Sequence, residues 1–279
     1  MEQYTRGPLT FDVEDSGPEH GPVVVLLHGF PQTPASWKAV TPHLTAAGYR
    51  VLAPAQRGYS PGARPRGRWA YRISELESDV LALATRAGAD RFHVVGHDWG
   101  GTVAWSLADR HPERLRTMTS VSTPHARALA RAILTSRQVR DSWYMAAFQV
   151  PWAPERRLLA GDGGLLRRQL VRTGLPDEYA AEYAAALGTP EALTGAINWY
   201  RAIPFNTAAM AGARPVTVPT LYVWGDRDRF LGRGAAERSG RWVRAPYAFR
   251  EFAGVPHWVP ETAPDALADA ILEHLSSYR

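Results

Sequence analysis

Leu9, Phe11 and Val13 alternate with polar neighbours, the period-two pattern of a half-buried strand, and a second extended stretch before Gly7-Pro8 completes a predicted hairpin. Val23 to Leu27 is different: an unbroken apolar run between turn residues, the signature of a strand buried on both faces in a parallel sheet. Amphipathic spacing then predicts a helix over Ala35 to Ala47, ending before Gly48, a short strand over Arg50 to Ala53, and a helix from Ile73 to Ala87 that Gly88 closes. Phe92 to Val95 reads as another strand, Gly96 to Gly101 as a tight turn, and Thr102 to Arg110 as the helix that follows. Leu115 to Val121 is again strand-like. Strand alternating with helix in this way predicts a doubly wound, mostly parallel α/β sheet.

After Ser122-Thr123-Pro124 the pattern changes to a long stretch rich in Ala, Arg, Trp and Leu at helical spacing, and the alternation resumes only at Val218 to Trp224. Ala248 to Phe252 and an amphipathic helix from about Pro264 to His274 complete it. The expected organisation is therefore a core at residues 1–133 and 214–279 with an inserted helical cap at 134–213.

Composition narrows the class. With 45% hydrophobic and 21% charged residues in 279, the chain has ordinary globular composition and enough apolar mass for a sizeable core. Basic residues exceed acidic ones by 32 to 27, and Lys38 is the sole lysine. The arginines are scattered (Arg57, Arg64, Arg66 and Arg68, then Arg127, Arg131, Arg137 and Arg140) rather than gathered into a stripe, which argues against nucleic acid as a partner. There is no cysteine, hence no disulfide framework or thiolate metal site. Neither a signal-like start nor a membrane-length apolar window occurs, so a soluble cytoplasmic protein without a membrane partner is expected.

Candidate chemistry gathers at three strand ends. Gly96-His97-Asp98-Trp99-Gly100 has the form of a nucleophile elbow, in which a strand turns sharply into a helix and the middle residue protrudes. Alone, Asp98 fits a helix cap equally well. Val223-Trp224-Gly225-Asp226-Arg227-Asp228 and Gly254-Val255-Pro256-His257-Trp258 each follow an apolar strand, so the chain order is nucleophile, acid, histidine. A turn aspartate and a loop histidine are the ordinary readings of those two sites, but the ordered triple at strand ends favours a hydrolytic triad. Of the two acids, Asp228 lies beyond the Gly225 turn, where its side chain can reach back to orient the imidazole of His257. His28-Gly29-Phe30-Pro31 ends the Val23–Leu27 strand, which assigns the N–H groups of Phe30 and Trp99 as oxyanion donors.

An aspartate at the elbow selects the substrate. Carboxylate attack on a carbonyl gives an anhydride, whereas attack on saturated carbon gives an ordinary ester. Ionised at neutral pH, Asp98 needs no base, which leaves His257 to activate the water that cleaves that ester. An electrophilic sp3 carbon, in an epoxide or a haloalkane, is implied.

With His-Gly-Phe-Pro, Gly-His-Asp-Trp-Gly-Gly, Trp-Gly-Asp-Arg-Asp and His257-Trp258 in register, the chain resembles the soluble epoxide hydrolases of the α/β-hydrolase superfamily over essentially its whole length. The resemblance implies two cap tyrosines that donate hydrogen bonds to the epoxide oxygen. They map to Tyr200 of Asn198-Trp199-Tyr200-Arg201 and to Tyr144, four residues before Phe148-Gln149. Packing within the cap is the alternative role for both. An apolar substrate pocket is expected from Trp143, Phe148, Trp152, Trp199 and Phe205, although the same aromatics fit a cap core. Haloalkane dehalogenases are similar too, but many have a halide-binding asparagine where this chain has Phe30. Fluoroacetate dehalogenases carry an arginine in the place of Trp99. One departure is Ala55 in Pro54-Ala55-Gln56-Arg57-Gly58, where relatives usually have aspartate. No cofactor or metal is implied, and the partners are a small-molecule epoxide and water. Oligomeric state is left open, a homodimer included. A non-catalytic ligand receptor on the same scaffold is the rival from another class, and it would not need the His257 and Asp228 pair.

Overall fold

The computed structural model describes residues 1–135, 143–161, 164–210 and 215–278. Arg137, Arg140 and the expected junction at 213/214 lie outside them.

The predicted hairpin forms as β1 (Gln3–Arg6) against β2 (Leu9–Ser16), with Tyr4 stacked on Phe11. The apolar runs become β3 (Val23–Leu27), β4 (Arg50–Pro54), β5 (Phe92–His97), β6 (Leu115–Val121), β7 (Thr220–Gly225) and β8 (Tyr247–Phe252). One eight-stranded sheet results, in the order β1-β2-β4-β3-β5-β6-β7-β8, antiparallel at β1–β2 and β2–β4 and parallel from β4 onward. This is the α/β-hydrolase fold.

The helices flanking the sheet are α1 (Thr41–Ala46), α2 (Ile73–Arg86) and α3 (Trp99–Arg110). The helix expected over Ala35–Ala47 is divided instead into a 3-10 turn at Pro34–Trp37 and the short α1. Pro42 explains the break, because it lacks the N–H and its ring obstructs the carbonyl four residues earlier.

Between β6 and β7 the chain forms α4 (Ala126–Thr135), α5 (Trp143–Ala147), α6 (Ala153–Leu158), α7 (Gly164–Arg172), α8 (Asp177–Ala186), α9 (Pro190–Arg201) and α10 (Ile203–Met210). After β7 come α11 (Arg233–Ala236), α12 (Val259–Thr262) and α13 (Pro264–Ser276). None of the described helices is long and apolar enough to cross a membrane.

Alternation along the strands splits the core. Val95, Val223 and Leu26 pack with Trp37 and with Leu267 and Ile271 of α13, whereas Phe92, Val94 and Leu27 face α2 and α3. That second cluster runs on into the inserted helices through Leu170, Leu193, Ile197 and Trp199, so the insert is seated on the core by apolar burial. Polar clasps fix its orientation. Trp199 Nε1–H donates to the carbonyl of Arg57 at 2.7 Å, and Arg57 is itself held by Asp79 at 2.7 Å. Within the insert, Arg201 pairs with Glu155 at 2.6 Å and donates to the carbonyls of Phe148 (2.9 Å) and Val150 (2.8 Å).

Ala55, where relatives usually have aspartate, lies in a loop closed through its backbone. Ser60 Oγ donates to the Ala55 carbonyl at 2.7 Å and accepts from the Asp12 N–H at 2.9 Å, closing the loop after β4.

Candidate active site

Strand order runs outward in opposite directions from the β3–β5 pair, and ligands in such sheets bind where the order reverses, beyond the carboxyl ends of the strands. His28-Gly29-Phe30 leaves β3 there and Asp98 leaves β5 beside it. Asp98 has φ 51° and ψ −120°, a left-handed conformation that an L residue adopts only when its surroundings enforce it. They do so by close approach: a Cβ on Gly100 would lie 2.1 Å from the Leu27 carbonyl oxygen, and one on Gly29 would lie 2.3 Å from Asp98 Cβ. Thr123 Oγ1–H and Thr102 N–H both hold the Asp98 carbonyl, at 2.7 and 3.1 Å. The side chain is thereby aimed out of the sheet.

The carboxylate meets two partners. Phe30 N–H donates to Oδ1 at 2.8 Å, and His257 Nε2 lies 3.6 Å from Oδ2. The other expected donor, the N–H of Trp99, stands in the first turn of α3, where no intrahelical acceptor exists. No bond from it to Asp98 occurs among the described residues. The ring of Trp99 lies instead edge-on to Tyr200, 5.1 Å between centroids.

Asp228 follows β7 and accepts from the N–H groups of Phe230 (2.7 Å) and Leu231 (3.0 Å) through Oδ1. Oδ2 is left for His257 Nδ1–H, at 2.8 Å. Asp226 is used elsewhere, accepting from the Gly254 N–H at 2.6 Å. The main chain of His257 is pinned too: Ser122 Oγ–H donates to its carbonyl at 2.8 Å, and His97 Nε2 lies at the same distance. Behind His97, Gln32 Oε1 lies 2.8 Å from Nδ1, and Gln32 Nε2–H donates to buried Glu261 at 2.7 Å. Burial pushes Glu261 up to about 7, against the hydrogen bonds it accepts from Gln32 and Tyr183. Neither Gln32 nor Glu261 stands out in the sequence, since each lies in an ordinary loop or short helix far from the other.

These contacts set the charges. Burial opposes protonation of His257, but Asp228 and then Asp98 outweigh it and raise its pKa to about 10. Burial likewise opposes ionisation of Asp98, yet the hydrogen bond and charge of His257, with the Phe30 N–H, hold it below the usual carboxylate range. At neutral pH the pair is carboxylate and imidazolium.

A cavity of about 670 Å³ opens onto Asp98 and His257, within the usual size of small-molecule sites. Tyr144 and Tyr200 both line it, their ring centroids 5.8 Å apart. Burial, reinforced by the charge of Asp98, raises the pKa of each phenol, so both remain protonated donors. Gln149 Nε2–H donates to the Tyr200 carbonyl at 2.7 Å, which ties the segment of one tyrosine to the helix of the other.

Of the expected pocket aromatics, Trp143 and Phe148 line this cavity and three do not. Trp199 is buried as the clasp to Arg57. Trp152 is 75% exposed, turned out at the start of α6 with φ 61°. Phe205 packs on Trp69 at the surface, 4.8 Å between centroids. Their places on the wall are taken by Leu166, Leu170, Phe230 and Trp258. Among the described residues, no group of three or more His, Asp or Glu is placed to hold a metal ion.

A sequence model described as "alpha/beta hydrolase fold" matches residues 22–264, and the chain belongs to that family. Within it, the relatives are of a recognisable kind. The chain is 37% identical over 275 residues to "AB hydrolase superfamily protein YfhM" of Bacillus subtilis (96% of this chain, 95% of the relative). It is 32% identical over 309 residues to "Epoxide hydrolase A" of Mycobacterium tuberculosis (95% and 93%). The crystal structure of Epoxide Hydrolase A from Mycobacterium thermoresistibile superposes with a TM-score of 0.86 at 29% identity, covering 99% of this chain and 98% of that one. The chain thus resembles the epoxide hydrolases of the family in sequence and in fold.

Proposed function

We propose that the protein is an epoxide hydrolase that opens an epoxide to a vicinal diol through an ester on Asp98. The observation that carries this reading is a carboxylate at the elbow, with two protonated tyrosines lining the same cavity. Oδ1 is held by the Phe30 N–H, so Oδ2, facing the imidazole, is the attacking oxygen. It bonds to an epoxide carbon as the C–O bond breaks, and the departing oxygen takes a proton from Tyr144 or Tyr200. The imidazolium of His257 then returns a proton to the phenolate and becomes a neutral base, oriented by Asp228.

Neutral His257 next takes a proton from water, and the hydroxide adds to Cγ of the ester. The N–H groups of Phe30 and Trp99 stabilise the oxyanion. Collapse releases the second diol oxygen, which takes the remaining water proton, and restores carboxylate, imidazolium and both phenols. A cap at 134–213 closes over Asp98 and limits access of bulk water. A haloalkane could be attacked by the same carboxylate, but a halide needs no proton, and the two cavity phenols are then without a task.

A single turnover in oxygen-18 water tests the covalent route. Heavy oxygen should enter the Asp98 carboxylate, and the first diol should carry none. Label appearing directly in that diol would make Asp98 a general base and end the ester mechanism.

A further inference from the structure

Trp152, in the loop between α5 and α6, has φ 61° and ψ −29°, a left-handed conformation that strains any residue with a Cβ. The fold gains no burial from it, because the indole is turned outward and is 75% exposed. The loop is nonetheless held from beneath. Buried Arg201 donates to the carbonyls of Phe148 (2.9 Å) and Val150 (2.8 Å), and Gln149 Nε2–H donates to the Tyr200 carbonyl at 2.7 Å. A clamped backbone thus presents Val150, Pro151 and Trp152 to solvent, and Trp143, which like Val150 lines the opening of the cavity, is also exposed. Exposed large apolar side chains gathered on one rim mark a surface that is covered in use.

Charge around this tip has one sign. Arg156 and Arg157 follow it in α6 and are exposed, and Arg229 is exposed at the same opening as Arg157. The one carboxylate of residues 143–161, Glu155, is buried against Arg201. Among the described residues, no carboxylate lies within ion-pairing distance of Arg156, Arg157 or Arg229. A second copy of the chain suits such a surface poorly, since a two-fold contact sets arginine against arginine. A surface that is anionic outside and apolar just beneath suits both parts of it: guanidinium groups meet phosphates, and indoles settle at the level of the headgroups.

We infer that this rim docks on the surface of an anionic phospholipid bilayer. Trp143, Val150 and Trp152 enter the headgroup layer, and Arg156, Arg157 and Arg229 lie on its phosphates. The contact is with the surface, in keeping with described helices none of which is long and apolar enough to cross a membrane. The cavity then opens toward the bilayer, and the inference stands apart from the reaction at Asp98.

Cosedimentation of the whole protein with vesicles tests this without any turnover. One set would be phosphatidylcholine alone, the other equal parts phosphatidylcholine and phosphatidylglycerol. Binding should be confined to the anionic vesicles and should weaken as salt is raised. Each arginine near such a surface contributes about a factor of five, so Arg156→Ala/Arg157→Ala should weaken binding about 30-fold. Arg241→Ala/Arg244→Ala removes the same charge from exposed positions ahead of β8, at the end of the sheet away from Asp98, and should weaken it far less.

Brominated lipid should quench the tryptophan emission of the bound protein, and Trp143→Ala/Trp152→Ala should lose that quenching with most of the binding. Trp152→Gly separates docking from folding, because glycine adopts the left-handed backbone without strain: its unfolding midpoint should hold or rise while vesicle binding falls. Binding to neither vesicle, equal binding to both, or equal losses in the two arginine pairs would overturn the inference. So would quenching unchanged in the tryptophan variant, or a lowered stability of Trp152→Gly, which would give the indole a task within the fold. Self-association that Trp152→Gly abolishes, with no vesicle binding, would assign the rim to a second copy instead.

Discussion

On the proposed route, an ester at Asp98 removes its charge, and that should release the proton of His257. The two groups are 3.6 Å apart and both shielded, the imidazole 3% and the carboxylate 15% exposed. At an effective dielectric of about 20, a unit charge at that separation stabilises the imidazolium by roughly 5 kcal/mol. Losing it moves the protonation equilibrium by about 10³-fold or more, about three pH units. In the free protein His257 sits at about 10, because Asp228 and Asp98 together overcome the opposing effect of burial. The sign follows: the carboxylates raise its pKa, so deleting one lowers it, and the base needed for ester hydrolysis becomes available near neutral pH only after alkylation.

Stopped-flow tryptophan fluorescence, sensitive to Trp99 beside Asp98, separates the two proposed half-reactions in single turnovers. Ester formation should be nearly flat from neutral pH to about 9, and ester hydrolysis should rise with a midpoint about three pH units below the titration of His257 followed by NMR in the free protein. If hydrolysis instead rises with the same midpoint as the free imidazole, the charge of Asp98 is not what holds the proton, and the coupled mechanism fails.

Three other outcomes are expected. His257→Gln should still be alkylated but not released, leaving the intact protein heavier by one substrate in mass spectrometry; normal turnover would remove His257 from the mechanism. Tyr144→Phe and Tyr200→Phe should each slow epoxide opening, by up to about 100- to 1000-fold per lost donor, with non-additive effects in the double variant, and activity confined to haloalkanes and indifferent to both changes would exclude the epoxide. Arg201→Met strands the buried Glu155 carboxylate and should lower unfolding stability by about 3 to 5 kcal/mol in denaturant titrations, whereas adding Glu155→Leu should recover much of the loss, and equal losses in both variants would show that the pair is not the source.

Local rules account for what could be read directly from the chain. Unbroken apolar runs bounded by turn residues mark buried parallel strands because both faces must be apolar, and Val23–Leu27, Phe92–Val95 and Leu115–Val121 fall within β3, β5 and β6. The elbow is legible for a similar reason: only glycine allows the approach of Leu27 at position 100, so Gly-x-Asp-x-Gly carries its geometry in its composition.

Side-chain direction over long separations is a different matter. An aromatic residue in an amphipathic helical stretch looks the same whether it faces core, cavity or solvent. By sequence Trp199, Trp152 and Phe205 therefore look like Trp143 and Phe148, and only the packing of the insert on the core separates them. Phe230 and Trp258 reach the cavity from loops after β7 and β8, and Gln32 meets Glu261 across 229 positions of sequence. Such contacts are selected by the packing of the whole sheet and insert, where one burial pattern satisfies every element at once, and no local periodicity encodes them.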